Sequence, residues 1–271
     1  MDLKILNQGN NILKFQVNGI NPAIANTIRR LVVNHVPTLA IEDVEINKNL
    51  SAIYDEMLAH RLGLIPLKTD LKSYTPMSEC KCKGEGCSQC QLKLTLKAKG
   101  PKIVCAEDLI SEDPKVEPIH KKMVIVKLLE DQELELIATA ILGQGKDHMK
   151  FSPGLIYYQG YPDFNIKDME NAEEVAKSCP VNILEPVGKK IKVTDKAECI
   201  LCNECVYLSE GKVSIKPSET DFIFTLESWG QLEPKEMLTE ALSLYDNKLD
   251  QLSKSVKKLK WHKKIKKQMM N

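Results

Sequence analysis

The placement of the nine cysteines limits how this chain can fold more than any other feature. Cys80, Cys82, Cys87 and Cys90 fall close together, as do Cys199, Cys202 and Cys205, with Cys179 upstream of the second group and Cys105 alone. Thiols bunched this tightly close small loops with no room for an apolar core, so each group needs cross-links or a metal. Met1 to Asn11 lacks an apolar signal core, and no run approaches the roughly 20 apolar residues of a bilayer span. The expectation is a cytoplasmic chain with no membrane partner, and a reducing compartment favours metal over disulfides.

Cys199-x2-Cys202-x2-Cys205 is the most specific of these signals. It opens like the bacterial-type ferredoxin run C-x2-C-x2-C-x3-C-P, whose fourth cysteine binds the other cluster of a two-cluster protein. Cys179-Pro180 keeps the tail of a first run whose earlier positions hold Met169, Ala172 and Val175, and Ser209 stands where the second run needs its fourth cysteine. Crossed ligation leaves one complete set, Cys179, Cys199, Cys202 and Cys205, which predicts one [4Fe-4S] cluster and no second. Without Cys179 the set would hold a [3Fe-4S] cluster. A four-thiolate zinc site and free buried thiols are the alternatives. Nothing near the run suggests a substrate or second cofactor, so a structural cross-link is preferred to redox catalysis.

In the first group, Cys87-x2-Cys90 is typical of a zinc knuckle and Cys80-x-Cys82 is less so. Zinc is preferred, with an empty loop and, in an oxidising cytosol, disulfides as the other readings. Cys105 reads as core.

Asn21 predicts a helix cap, followed by Pro22 in the first helical position and by Ile24, Ile28, Leu31, Val32 and His35 on one face. Pro37 ends that helix, and Leu39, Ile41, Val44 and Ile46 then alternate with acidic residues as a strand. Before it, Leu3, Ile5, Ile12, Phe15 and Val17 predict a hairpin. A second helix from Tyr54 to Leu62 and alternation over 92–98, 124–128 and 133–140 predict a mainly β unit. Gly143-Gln144-Gly145-Lys146 lacks the spacing and the hydroxyl residue of a phosphate loop and reads as a turn. After a strand at Phe222, Phe224 and Leu226, Pro234 opens a long helix. Its Leu238, Leu242, Tyr245, Leu249, Leu252, Val256 and Leu259 step by four and three as a heptad seam, which needs the chain's own sheet or another chain.

The net charge is +1, from 38 basic and 37 acidic residues, but eight lysines lie between Lys254 and Lys267. The body is therefore acidic, and any nucleic-acid contact would belong to the tail, where Trp261 and His262 could stack on bases. No compact Asp-rich motif of the kind that holds catalytic magnesium occurs, so no catalytic residue is expected.

Several segments closely resemble one family. Asn26-Thr27-Ile28-Arg29-Arg30 with Val36-Pro37-Thr38-Leu39-Ala40-Ile41, and the stretch from Tyr54 to Leu67, are similar to the archaeal RNA polymerase subunit called D. So are Gly143-x-Gly145-Lys146-Asp147-His148-x-Lys150-Phe151-x-Pro153 and Phe224-x-Leu226-Glu227-x-x-Gly230-x-Leu232-x-Pro234. The family includes the eukaryotic third-largest polymerase subunit and the amino-terminal domain of the bacterial α subunit. The resemblance implies an α+β fold with a discontinuous α-subunit-like dimerisation domain, formed by residues 1–47, a return at 157–163, and 221–271. A mainly β insert at 48–156 and a ferredoxin-like iron-sulfur insert at 164–220 would interrupt it. It implies a heterodimer with small subunit L through Ile24, Ile28, Leu31, Leu238, Leu242, Tyr245, Leu249 and Leu252. Subunits N, P and B would assemble onto that platform, with DNA met only through the complete enzyme. The catalytic aspartates of the family belong to the largest subunit. A ferredoxin-like electron carrier is the competing reading, which reversible reduction with turnover would support.

Overall fold

The computed structural model describes residues 2–258. Leu259, Trp261, His262 and the last lysines of the basic tail lie outside the described residues. In chain order the elements are β1 (Asp2–Gln8), β2 (Ile12–Asn18), α1 (Pro22–His35), β3 (Pro37–Asn49), α2 (Asp55–Gly63), β4 (Gln91–Lys99), β5 (Lys102–Cys105), β6 (Ile110–Ser111), β7 (Val124–Leu128) and β8 (Glu133–Gln144). They continue with β9 (Gly154–Ile166), α3 (Ala172–Lys177), β10 (Leu184–Val187), β11 (Lys190–Val193), α4 (Glu204–Leu208), β12 (Val213–Ser228) and α5 (Pro234–Lys258). Several small sheets with few helices make this the mixed α and β chain that the sequence implies. No described helix is long and apolar enough to cross a membrane.

The chain folds as two compact units, one of residues up to Arg29 with Ile156–Glu227, the other of Arg30–Leu155 with the chain from Ser228 onward. In the first, the sheet order is β1-β2-β12-β9. Leu13, Phe15 and Val17 of β2 are buried and pair in register with Leu226, Phe224 and Phe222 of β12. Phe15 and Phe224 stack with centroids 5.0 Å apart, and Tyr158 meets Phe222 edge-on at 5.5 Å. Facing pairs share one side of a sheet, so this is an apolar face. Asn21 caps α1 as its sequence predicts, its Oδ1 accepting from the Ile24 N–H at 2.9 Å. The same unit carries a small module in which Met169, Ala172, Val175, Ile183 and Ile191 form a separate core.

In the second unit the sheet order is β3-β8-β4-β6, beside a β5-β7 pair. Leu134, Leu136, Ala138, Ala140 and Leu142 alternate along β8 into one core with Leu58 and Leu62 of α2. Two buried threonines are satisfied there: Thr38 donates to the Phe151 carbonyl at 2.7 Å, and Thr69 Oγ1 accepts from the Leu39 N–H at 3.0 Å. The glycine-lysine turn after β8 serves packing. A Cβ at Gly145 would collide with the Val33 carbonyl oxygen, and the Lys146 N–H donates to Asn34 O at 3.0 Å. Cys105 is half-buried at the end of β5 rather than in the core, where the chain turns and its backbone N–H donates to the Asp108 carboxylate at 2.9 Å.

Candidate functional site

The loop between the short 3-10 turn at Met77–Glu79 and β4 gathers Cys80, Cys82, Cys87 and Cys90. Their sulfurs lie within 4.8 Å of one another, and among the described residues they are the one group of three or more His, Cys, Asp or Glu donors drawn so close. Cys80 and Cys87 are 3.5 Å apart, Cys82 and Cys90 3.5 Å, and Cys87 and Cys90 3.8 Å. A disulfide needs about 2.05 Å, whereas metal–sulfur bonds of about 2.3 Å in a tetrahedron put sulfurs about 3.8 Å apart. All four thiols are free.

Their protonation is uneven. The Cys80 thiol, helped by the Gly84 N–H, holds the Cys82 sulfur low, at about 6, while burial pushes Cys90 up to about 12. The Cys87 N–H also points at the Cys90 sulfur, at 3.2 Å. The Cys82 sulfur is thus readier to ionise than the buried Cys80 and Cys90, from which an incoming cation must displace protons. This set can bind a metal ion.

Cys179, Cys199, Cys202 and Cys205 line one pocket together with Phe164, Ile183 and Ile215. Cys202 is exposed and the other three are buried. Left-handed backbone at Leu201 (φ 57°) and Asn203 (φ 62°) wraps the run around that pocket, and the Leu201 N–H approaches the Cys199 sulfur at 3.5 Å. Burial raises the Cys199 thiol and pushes Cys205 to about 11. Met169, Ala172 and Val175, the positions where a first ferredoxin run would have cysteines, are buried at 5%, 2% and 0% exposure as core. Ser209 donates to the Val206 carbonyl at 3.0 Å and accepts from the Val213 N–H at 2.9 Å.

Sequence reasoning passes over two residues that hold this run. Gln159 on β9 donates to the Cys199 carbonyl at 2.6 Å, and Lys14 on β2 pairs with Glu198 at 2.9 Å. No local motif marks either; only the strand register brings them to the loop.

Apolar surface is uncovered in both units. Leu3 and Ile5 of β1 face Val17 and Phe15 in register, and so continue the buried face of the first sheet, yet they are 48% and 51% exposed. On α5, Met237 and Ala241 are fully buried, but Leu242, Leu249, Leu252 and Val256 are exposed and Leu238 and Tyr245 are half-buried. On α1, Ile24 is exposed while Ile28 and Leu31 are buried by the chain itself.

Among the described residues, apolar rows lie uncovered on β1 and α5, a feature of chains that work inside larger assemblies. Residues 44–157 match the RNA polymerase Rpb3/RpoA insert domain. Along nearly the whole chain, the DNA-directed RNA polymerase subunit Rpo3 of Methanosarcina acetivorans is 38% identical over 257 residues, covering 93% of this chain and 97% of that protein. The Rpo3 of Archaeoglobus fulgidus is 34% identical over 260 residues, covering 95% and 98%. That of Picrophilus torridus is 36% identical over 270, covering 94% and 99%. The chain belongs to the Rpo3 family, the archaeal polymerase subunit also called D.

Proposed function

We propose that this chain is the non-catalytic assembly platform of a cytoplasmic archaeal RNA polymerase. It pairs with small subunit L and then takes up subunits N, P and B, meeting DNA only through the finished enzyme. The dimerisation domain, residues 1–47, 157–163 and 221–271, draws β1, β2 and about half of β12 from one compact unit and β3 and α5 from the other. Its partner surface is made by Ile24, Leu238, Leu242, Tyr245, Leu249 and Leu252; Ile28 and Leu31, which the resemblance adds to them, are buried by the chain itself and support Ile24 from behind.

The observation that carries this reading is the uncovered continuation of a core face. Leu3 and Ile5 extend the row of Phe15, Val17, Phe222 and Phe224 beyond the area the chain covers, and α5 presents a separate row of exposed leucines. About half of each such side chain is already buried, so covering the rest is worth about 1 kcal/mol apiece. A second polypeptide laid on them would bury both rows.

The loop set Cys80, Cys82, Cys87 and Cys90 would hold one zinc ion, its sulfur separations matching the edges of a zinc tetrahedron. The set Cys179, Cys199, Cys202 and Cys205 would hold one [4Fe-4S] cluster, as a ferredoxin-like insert over 164–220. The four sulfurs lining a single pocket support this, and the core packing of Met169, Ala172 and Val175 leaves no ligands for a second cluster. Such a cluster would cross-link the chain just after α3, at Cys179, to the run leading into α4, at Cys199 and Cys202, and to α4 itself, at Cys205.

Co-expression tests the reading. With a small α/β subunit L the chain should purify as a soluble heterodimer, and without it should aggregate or self-associate. A soluble, unpaired chain under both conditions contradicts the platform role.

A further inference from the structure

The four thiols of the loop before β4 pair off both by distance and by exposure. Cys80 lies 3.5 Å from Cys87, and Cys82 lies 3.5 Å from Cys90, so the two shortest contacts use each sulfur once. Each pair joins a buried sulfur, Cys80 or Cys90, to a half-buried one, Cys87 or Cys82. The contact between Cys87 and Cys90 is longer, at 3.8 Å, and pairing those two would leave Cys80 to close on Cys82 across a single residue, Lys81.

The backbone opens this set to small molecules from one side. Left-handed conformations at Lys83 (φ 57°), Gly84 (φ 89°) and Gly86 (φ 89°) fold the two halves of the loop together. Lys81, Lys83, Gly84 and Glu85 at its tip are exposed, and a Cβ on Gly84 would meet nothing within 4 Å, so Cys82 and Cys87 are approached from the tip. Drawing a 3.5 Å contact in to a disulfide of about 2.05 Å moves each sulfur by less than about 1 Å, within a small side-chain rotation.

We propose that this loop is a reversible oxidation site for hydroperoxides, in which the half-buried Cys82 and Cys87 take the oxygen and the buried Cys90 and Cys80 resolve them as the disulfides Cys82–Cys90 and Cys80–Cys87. In the first step the outer thiolate attacks the peroxide, the O–O bond breaks, sulfur becomes a sulfenic acid and the other oxygen leaves, protonated, as an alcohol. In the second the inner thiolate attacks the sulfenic sulfur, the S–S bond forms, the S–O bond breaks and the departing hydroxide takes up a proton as water. Each disulfide thus consumes two thiolates, one hydroperoxide and two protons, with the two electrons passing from sulfur to peroxide oxygen. With all four sulfurs tied to one another the loop has no ligands left, so zinc departs unreduced, and a thiol reductant reopens the site. The proposal rests on the reading of this loop as a zinc site and adds to it a chemical condition under which the metal is lost.

The test uses the full chain purified anaerobically with subunit L, its zinc counted beforehand, and then treated with tert-butyl hydroperoxide. Trypsin cuts after Lys81 and Lys83, so that in the reduced chain Cys80, Cys82 and the Cys87 and Cys90 segment leave in three separate peptides. After oxidation, mass spectrometry should find those three peptides joined by the two named disulfides, with about one zinc ion released per chain. The loop thiols should disappear about tenfold faster than that of half-buried Cys105, whose sulfur faces the Ile103 carbonyl at 4.0 Å. Dithiothreitol with added zinc should restore the starting zinc content, and in Cys82→Ser only the Cys80–Cys87 link should form. Cys87 linked to Cys90, sulfinic acid at Cys82 or Cys87 without either disulfide, or loop thiols that outlast Cys105 would each overturn the inference. A chain that holds no zinc beforehand yet forms both links sinks only the zinc reading; one that keeps its zinc and its thiols under the oxidant retains that reading and loses this one.

Discussion

The side-chain amide of Gln159 donates a 2.6 Å hydrogen bond to the backbone carbonyl of Cys199, and so joins a strand of the apolar sheet to a proposed cluster ligand. One residue earlier, Glu198 is held by Lys14 from β2. The cysteine run is therefore positioned by the β1-β2-β12-β9 sheet as well as by its own small core. Gln159→Leu removes the donor and leaves the carbonyl unpaired, at about 1 kcal/mol. Iron release to a chelator under anaerobic conditions should then be about fivefold faster, and an unchanged rate would show that the insert holds its ligands unaided.

Metal at the loop of Cys80 to Cys90 is testable by counting. Native mass spectrometry should find one zinc ion per chain, and Cys90→Ser should remove it, because Cys90 lies within 4 Å of both Cys82 and Cys87. The residues between Met77 and Gln91 should become sensitive to protease while iron content stays the same. Full metal occupancy in the serine variant would contradict the assignment.

His35 makes a pH prediction. Its Nε2 lies 3.1 Å from the Lys248 ammonium, and burial, then Lys248, then Lys146 lower its pKa from 6.5, with Arg30 adding to this and a hydrogen bond to Gln144 opposing it. A base depressed in the folded state takes up its proton first in the unfolded chain. Stability is therefore unaffected above pH 6.5, falls as pH drops below it, and levels off once the folded His35 is also protonated. Melting temperatures from pH 7.5 to 5 should fall less steeply in His35→Gln, and superimposable curves would rule this pair out as a source of acid sensitivity.

On α5 the two sides of one helix should respond in opposite ways. Leu249→Asp with Leu252→Asp changes residues that are 46% and 60% exposed, so the chain's own stability should hold while its affinity for the small partner falls by more than about 100-fold. Met237→Ala, at a fully buried position, should cost the chain about 2–5 kcal/mol by itself. Thermal melts alongside partner titrations separate the two effects.

Local patterns were legible wherever one residue type has one strong use. Asn21 and Pro22 marked the start of α1, the four-and-three steps after Pro234 marked α5, and β8 alternates as its sequence does. What remained hidden depends on distant partners. The heptad pattern identifies one stripe of α5 but not the burial of Met237 and Ala241 on another, which is decided by where the helix packs. Register shifts between Ile41 and Asp43 and between Ile46 and Lys48 interrupt β3, leaving Val44 and Ile46 half-buried where simple alternation would bury them. Cys80, Cys82, Cys87 and Cys90 could be picked out as a set able to bind a metal because metal chemistry requires thiols at short spacing. Gln159 and Lys14 carry no such mark, since an ordinary amide or ammonium acquires a role only from what the fold sets beside it.

The central claim is that a smaller protein covers the exposed rows on β1 and α5. Hydrogen–deuterium exchange on the chain alone and with subunit L, after sedimentation has fixed the stoichiometry, tests it most directly. The account predicts a one-to-one complex in which the amides of Asp2–Gln8 and of Leu242–Val256 are slowed at least tenfold, with the Cys80–Cys90 loop unchanged. A stable monomer whose β1 and α5 exchange at the same rate with and without the partner would contradict it.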